Sequence, residues 1–199
     1  MNITNPLASG KHAAYYNEKL FEAGIGHVIV ARFKGGGTRV EAGVFLVDVW
    51  CLGVKDAFFA EMTPEEFQSR ILEKSHGEKL GPIEPACARK LVEDAVKYAL
   101  SHGIAPHPDY KKGARVFGGI NAGDCTRSFT FGKDGKPLYF QGPHDSPKRV
   151  DFILRQLTLH RGEGNFDFVL GGPVNSLPGE QYDDDWEDDA PDSGEPEKN

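Results

Sequence analysis

The chain has no apolar run of about 18 residues, no closely spaced cysteine pair and no glycine-rich phosphate loop. Each absence removes a class of protein. Without a long apolar stretch there is no spanning helix, and the opening residues, MNITNPLASGKH, lack the apolar run of a secretory signal. A soluble, cytoplasmic protein with no membrane partner is therefore expected. Cys51, Cys87 and Cys125 are odd in number and form no CxxC pair, so no disulfide framework is expected and a reducing compartment follows. The same wide spacing argues against a zinc site. Ordinary burial is expected for Cys51. Cys87 lies near a helix start, where a thiol pKa falls, and is the cysteine whose reactivity merits measurement. Glycines 35–37 have no helix after them, and GxGxxG and GxSxG patterns are missing, which excludes the usual phosphate cradle and nucleophile elbow.

Apolar residues are also sparse, at 39% of 199 residues. That is below the globular average of about 45–50%, and the deficit lies mostly at the C-terminus. Net charge is −7, unevenly spread: residues 180–199 hold ten acids and one base, which leaves 22 bases and 20 acids before them. The body is thus nearly neutral and the acidity belongs to a tail. Residues 1–22 read as an N-terminal extension, 23–170 as one α+β domain and 171–199 as a disordered acidic tail.

Residues 27–33 alternate apolar side chains, break at Lys34-Gly35-Gly36-Gly37 and resume at Thr38, the pattern of an antiparallel hairpin. Pairing Phe33 with Thr38 places His27, Ile29 and Ala31 on one face with Val40, Ala42, Val44, Leu46, Asp48 and Trp50. That face, with Asp48, is expected toward the core, while Arg32, Arg39 and Glu41 near the tip fall on the other, wetter face. Beyond Gly43 both faces are apolar, which predicts a central strand covered on both sides. Thr63-Pro64-Glu65-Glu66 is a capping box opening a helix to about Ser75. Pro85 opens a second helix with an apolar stripe from Ala88 to Ala99, closed by Gly103. Ser128–Phe131 and Leu138–Phe140 flank an Asp134-Gly135 turn, a second hairpin. Ser146-Pro147 starts a third helix, and 165–170 is a candidate last strand. The order predicts a mostly antiparallel sheet from two hairpins with about three helices packed on it.

Asp48 is the most conspicuous residue, a carboxylate in the apolar run VFLVDVWCLGVKDAFF; leaving it ionised and unpaired costs several kcal/mol. Two readings follow. Asp48 and Asp56 share a divalent cation, as acids do in two-metal nucleases. Or Asp48 accepts amides of the turn 52–54 or pairs with Lys55, while Asp56 caps the next turn. His107 and Asp109, two apart beside Tyr110, suit a metal ligand pair or a base with its orienting acid; equally, Asp109 caps the Tyr110 segment. His144-Asp145 is weighed the same way, and His27 is expected as a hydrogen-bonded core histidine.

Three ordered blocks resemble a family of uncharacterised bacterial proteins: FLVDVWCLGVKD (45–56), YALSHGIAPHPDY (98–110) and FGKDGKP (131–137). The resemblance covers about residues 23–160. It implies a single-unit domain and carries no activity with it.

Basic residues Lys111, Lys112 and Arg115, and Lys133 and Lys136, lie near Tyr110, Phe117, Phe131, Tyr139 and Phe140, the mixture that binds single-stranded nucleic acid. The tail carries Tyr182 and Trp186 among its acids, suited to a basic protein partner or to the chain's own basic patch. The expected function is a non-enzymatic binding or accessory module, nucleic-acid or nucleoprotein associated, with the tail tuning access. The alternative is a metal-dependent phosphodiester hydrolase using Asp48, Lys55, Asp56, His107 and Asp109. Only that alternative implies a cofactor, a divalent cation.

Overall fold

A computed structural model describes residues 12–73 and 77–171, and the acidic tail with Tyr182 and Trp186 lies outside the described residues. The fold is α+β. Five antiparallel strands form one sheet in the order β4-β3-β2-β1-β5: β1 His12–Asn17, β2 Ile25–Lys34, β3 Arg39–Asp48, β4 Gly53–Met62 and β5 Leu80–Pro82. Helices are α1 Leu20–Ala23, α2 Pro64–Glu66, α3 Pro85–Leu100, α4 Tyr110–Gly113 and α5 Pro147–Arg161. A small second sheet pairs β6 Leu138–Phe140 with β7 Asp167–Val169 in parallel.

The β2–β3 hairpin forms with Phe33 opposite Val40 rather than Thr38. The turn is longer than expected because Gly35–Gly37 coil into a 3-10 turn that Thr38 closes, its amide and hydroxyl both donating to the Gly35 carbonyl. A shift of two residues preserves side-chain parity. His27, Ile29 and Ala31 therefore do share a face with Val40, Ala42, Val44 and Leu46.

β3 is central, as its two apolar faces predict. The larger core lies on the face of Val28, Val30, Phe45 and Val47, packed under Leu91, Val92 and Ala95 of α3 and under Val116 and Phe117. The opposite face, with Ile29, Ala31, Ala42 and Val44, is covered by Phe67. Phe67 opens a π-helical turn that continues α2 to Leu72, and the capping box forms between Thr63 and Glu66. A third cluster, Cys51, Leu52, Ala99, Ile104, Tyr139, Ile153 and Leu157, joins α5 and β6 to one end of the sheet. Each fully buried Val, Leu, Ile or Phe side chain contributes roughly 1.5–3 kcal/mol.

Four expectations are corrected. Residues 12–22, expected in an extension, supply β1 and α1, and β1 lies between β2 and β5. β4 follows Gly53 directly; a bulge at Lys55 places Val54 and Asp56 opposite the consecutive residues Val47 and Leu46, which breaks the alternation that would have marked a strand. Leu138–Phe140 pairs with β7, not with Ser128–Phe131, although Asp134 and Gly135 do make the tight turn between Lys133 and Lys136. Finally, Cys87 and Cys125 are joined in a disulfide with Cα atoms 4.8 Å apart, so Cys87 is no free thiol; only Cys51 is unpaired, and it is buried. The first turn of α3 and the 3-10 turn at 122–124 bring together two cysteines 38 residues apart. No helix among the described residues is long and apolar enough to cross a membrane.

Candidate functional site

The three sequence blocks interlock at one end of the sheet. From the first, the turn after β3 exposes two carbonyls: Val49 accepts from Gly132 N–H at 2.9 Å and Trp50 from Leu138 N–H at 3.1 Å. From the second, His102 Nε2 lies 2.7 Å from the Cys51 carbonyl, and His107 N–H donates to Val54 O at 2.9 Å along the outer edge of β4. From the third, Phe131 stacks on Tyr98, ring centroids 5.5 Å apart. Gly53 permits the junction. Its φ is +67°, and a Cβ there would meet the Ala95 carbonyl and Ala99 Cβ of α3 at 2.8 Å.

Asp48 sits inside this knot, 7% exposed. Its Oδ1 accepts the Trp50 and Cys51 amides at 2.9 and 2.8 Å. Burial raises its pKa to about 6, against the lowering pull of those amides and of the Lys55 charge. The carboxylate thus closes the turn from within, the structural of the two readings, with Leu52 the one expected amide that acts on it and Trp50 and Cys51 in place of Gly53 and Val54. Cys51 follows the same physics: burial first, then the Asp48 charge, pushes its thiol up and out of the nucleophilic range.

His102 is fully buried, and burial lowers its pKa. Its Nε2 faces a carbonyl, so that nitrogen carries the hydrogen and Nδ1 accepts from the Arg161 guanidinium at 3.1 Å. Arg161 also lies 5.7 Å over the Tyr98 ring. The pair fastens the end of α5 to the end of α3. His102 lies inside the second block, yet nothing in its spacing separates it from any other polar residue of a helix end.

The remaining candidates scatter. Asp56 is exposed on β4 and caps no turn; His107 Nδ1 lies 3.9 Å from it. Asp109 makes no side-chain cap on α4, and its amide instead donates to His107 Nδ1 at 3.2 Å. His27 is half-buried and bonds Glu78 at 3.0 Å. Asp145 accepts the Tyr139 hydroxyl at 3.0 Å and the Gly142 amide at 2.7 Å, holding the turn before α5. Among the described residues no three His, Cys, Asp or Glu side chains group so as to hold a metal ion. The one geometric remnant of a hydrolase is His107 beside Asp56.

The basic residues divide into two places. Arg115 lies 5.7 Å over Phe59 of β4, with Lys111 and Lys112 on the adjoining α4. Val116, next to Arg115, packs on Gly43. Lys133 lies 5.0 Å over the Trp50 indole, in the turn beyond the far end of β3, and the five strand steps from Gly43 to Asp48 alone span about 17 Å. Trp50 neighbours Phe140 at 6.0 Å between centroids, and Phe140 keeps 46% of its surface exposed. Val169 pairs with Phe140, and Phe168 to Leu170 are similarly exposed. Partly buried Trp50, exposed Phe140 and Lys133 thus border one aromatic and basic surface, with Lys136 opposite Lys133 and its ammonium bonded to the Gly164 carbonyl at 2.8 Å. Trp50 lies in the turn after β3 rather than within the strand, because Asp48 ends β3, and it packs partly buried against the larger core. Compared with protein-family models, curated proteins and solved structures, the chain matches none.

Proposed function

We propose that this chain is a non-enzymatic binding module that takes single-stranded nucleic acid on the platform of Trp50, Phe140, Lys133 and Lys136, with the acidic tail tuning access. The observation that carries the reading is the Trp50–Phe140 pair, in which Phe140 is open to solvent and the partly buried indole has an ammonium over it. Neighbouring rings stack bases without regard to sequence, and adjacent lysines meet phosphates. Lys111, Lys112 and Arg115 are a second basic group for a longer strand. The burial of Asp48 under turn amides supports a structural role for the residue that a hydrolase would need most. The meeting of the three blocks in one knot supports reading them as the structural signature of the uncharacterised bacterial family they resemble. A cytoplasmic site of action fits this proposal where the Cys87–Cys125 bond is redox-responsive, since lasting structural disulfides belong to oxidising compartments.

The test is binding of a fluorescent single-stranded oligonucleotide at low salt. Removing residues 176–199 is expected to tighten binding, and added salt to abolish it. Phe140→Ala is expected to weaken binding about tenfold, as loss of one stacked base does. Negligible binding both before and after truncation removes nucleic acid as the partner.

A further inference from the structure

The segment from Gly118 to Pro137 crosses α3 and the end of the sheet with little regular structure of its own. Point contacts hold it. Lys90 Nζ donates to the Arg127 carbonyl at 2.7 Å, Phe129 stacks on Phe21 at 5.9 Å, and the Arg127 guanidinium lies between Tyr16 and Phe129. The only covalent tie among the described residues is Cys87–Cys125. Cys87 is fully buried in the first turn of α3, whereas Cys125 keeps 5% of its surface. That residue lines an open groove of about 240 Å³ between α3 and the 122–124 turn, bordered by Lys90, Lys97, Glu93 and Asp94.

We infer that Cys87–Cys125 is a redox-addressed latch, opened by a small thiol that enters this groove, attacks Cys125 and releases the strap of residues 118–137 from α3. The incoming thiolate sulfur bonds to Cys125 Sγ while the Cys125–Cys87 bond breaks and its electron pair leaves on Cys87. A second thiol then attacks the sulfur of the first, freeing Cys125. In sum, two thiols lose two hydrogens to become one external disulfide, and the protein gains two cysteine thiols. Access sets the direction of attack, because Cys125 meets the groove while Cys87 is fully buried, and the N-terminus of the sixteen-residue α3 offsets part of the cost of a Cys87 thiolate beside Glu84. Once protonated, it has the Glu84 carboxylate 3.8 Å away as hydrogen-bond acceptor. Lys90 and Lys97 are balanced at the groove by Glu93 and Asp94, so a thiol such as glutathione is admitted by size and access rather than drawn in by charge. The latch does not rest on the nucleic-acid reading.

The test treats the full chain at neutral pH without denaturant with glutathione or dithiothreitol, followed by alkylation and peptide mass spectrometry. Cys51 is the internal control, because it is buried in another cluster and labels only when the fold opens. The expected result is labelling of Cys87 and Cys125 with Cys51 spared. Amide exchange over 118–131 should become at least tenfold faster while β2 and β3 stay protected, and the first glutathione adduct should sit on Cys125. Cys125→Ser should reproduce the fast exchange without reductant. Resistance of the bond to dithiothreitol, labelling of Cys51 in step with the pair, or a first adduct on Cys87 would each overturn the latch. Should Cys125→Ser fail to fold, reduction of the natural chain decides alone.

Discussion

Between Ile25 and Met62 the chain is tied by a backbone ladder; between Gly118 and Pro137 it is tied by isolated contacts. In the first region three ten-residue strands pair along their lengths, and both faces are packed. In the second, a disulfide, two ring stacks, the Val49 carbonyl of the β3–β4 turn, Arg89 and Lys90 do the holding. A ladder distributes its stability over many similar bonds, so the loss of one is shared by its neighbours. Point contacts have no such neighbours. The difference predicts that the two regions fail differently, one with the whole fold and the other locally.

The largest expected effect comes from the strap. Replacing both Cys87 and Cys125 with serine releases a loop of 38 residues in the unfolded chain and should cost roughly 3–4 kcal/mol in urea unfolding. A loss under about 1 kcal/mol would mean that the ring stacks and Lys90 hold the strap by themselves, and the contrast between the regions would collapse. Next is Gly53→Ala, which tests the junction of the two regions. A side chain there takes a left-handed φ of +67° and presses on the Ala95 carbonyl, a backbone atom that can yield only by moving α3. Roughly 2–3 kcal/mol of destabilisation is expected, from backbone strain plus overpacking. A neutral result would show that α3 stands further from the β3–β4 turn.

How much of this was legible in the sequence differs between the same two regions. Period-two alternation marks β2 and β3, and because a two-residue register error keeps parity, residues are grouped on the right faces even with Phe33 paired wrongly. But the face of Arg32 and Glu41, expected to be the wetter, carries the larger core, with Glu41 itself buried. β4 escaped because the bulge at Lys55 interrupts its alternation. The capping box and the Pro85 and Pro147 helix starts are local signals and hold locally. The Cys87–Cys125 bond and the parallel β6–β7 pair depend on segments distant in sequence, and no local pattern encodes them. Of the candidate site, Asp48 was recognisable as a costly charge, but whether amides or a metal compensate it depends on the shape of one turn. His102, Arg161 and the Trp50–Phe140 platform belong to contacts that only the assembled fold makes.

A smaller effect separates the ladder from the turn that ends it. Asp48 has its folded pKa raised from 3.8 to about 6, so the folded state holds this proton more tightly than the unfolded chain. The resulting stabilisation is complete below the unfolded pKa and is lost as pH rises through about 6. Relative to Asp48→Asn, which does not titrate, the natural chain should gain about 1 kcal/mol between pH 7 and pH 5, for a shift of this size at 1.36 kcal/mol per unit. The measurement is unfolding free energy of both proteins across that window. Parallel curves would mean that the carboxylate is hydrated, and the turn would no longer be closed from inside.

The smallest effect lies at the other end of the ladder, where two acids on neighbouring strands face different surroundings. Glu41 on β3 is 4% exposed and is held by both Arg32 and Lys34. Burial pushes its pKa up, but hydrogen bonds from Lys34 and Arg32 and their charges prevail and hold it below the ordinary range. Glu61, directly opposite on β4, pairs with Arg39, and both of those side chains are largely exposed. Water screens the exposed pair, and two long side chains lose freedom to make it, so Glu61→Gln should change stability by no more than about 0.5 kcal/mol. That change should vanish in 1 M salt, where screening acts over about 3 Å. A larger loss that persists in salt would mean that the rim of the sheet is tied by a point contact, as the strap is, and that the ladder does not carry its own edge.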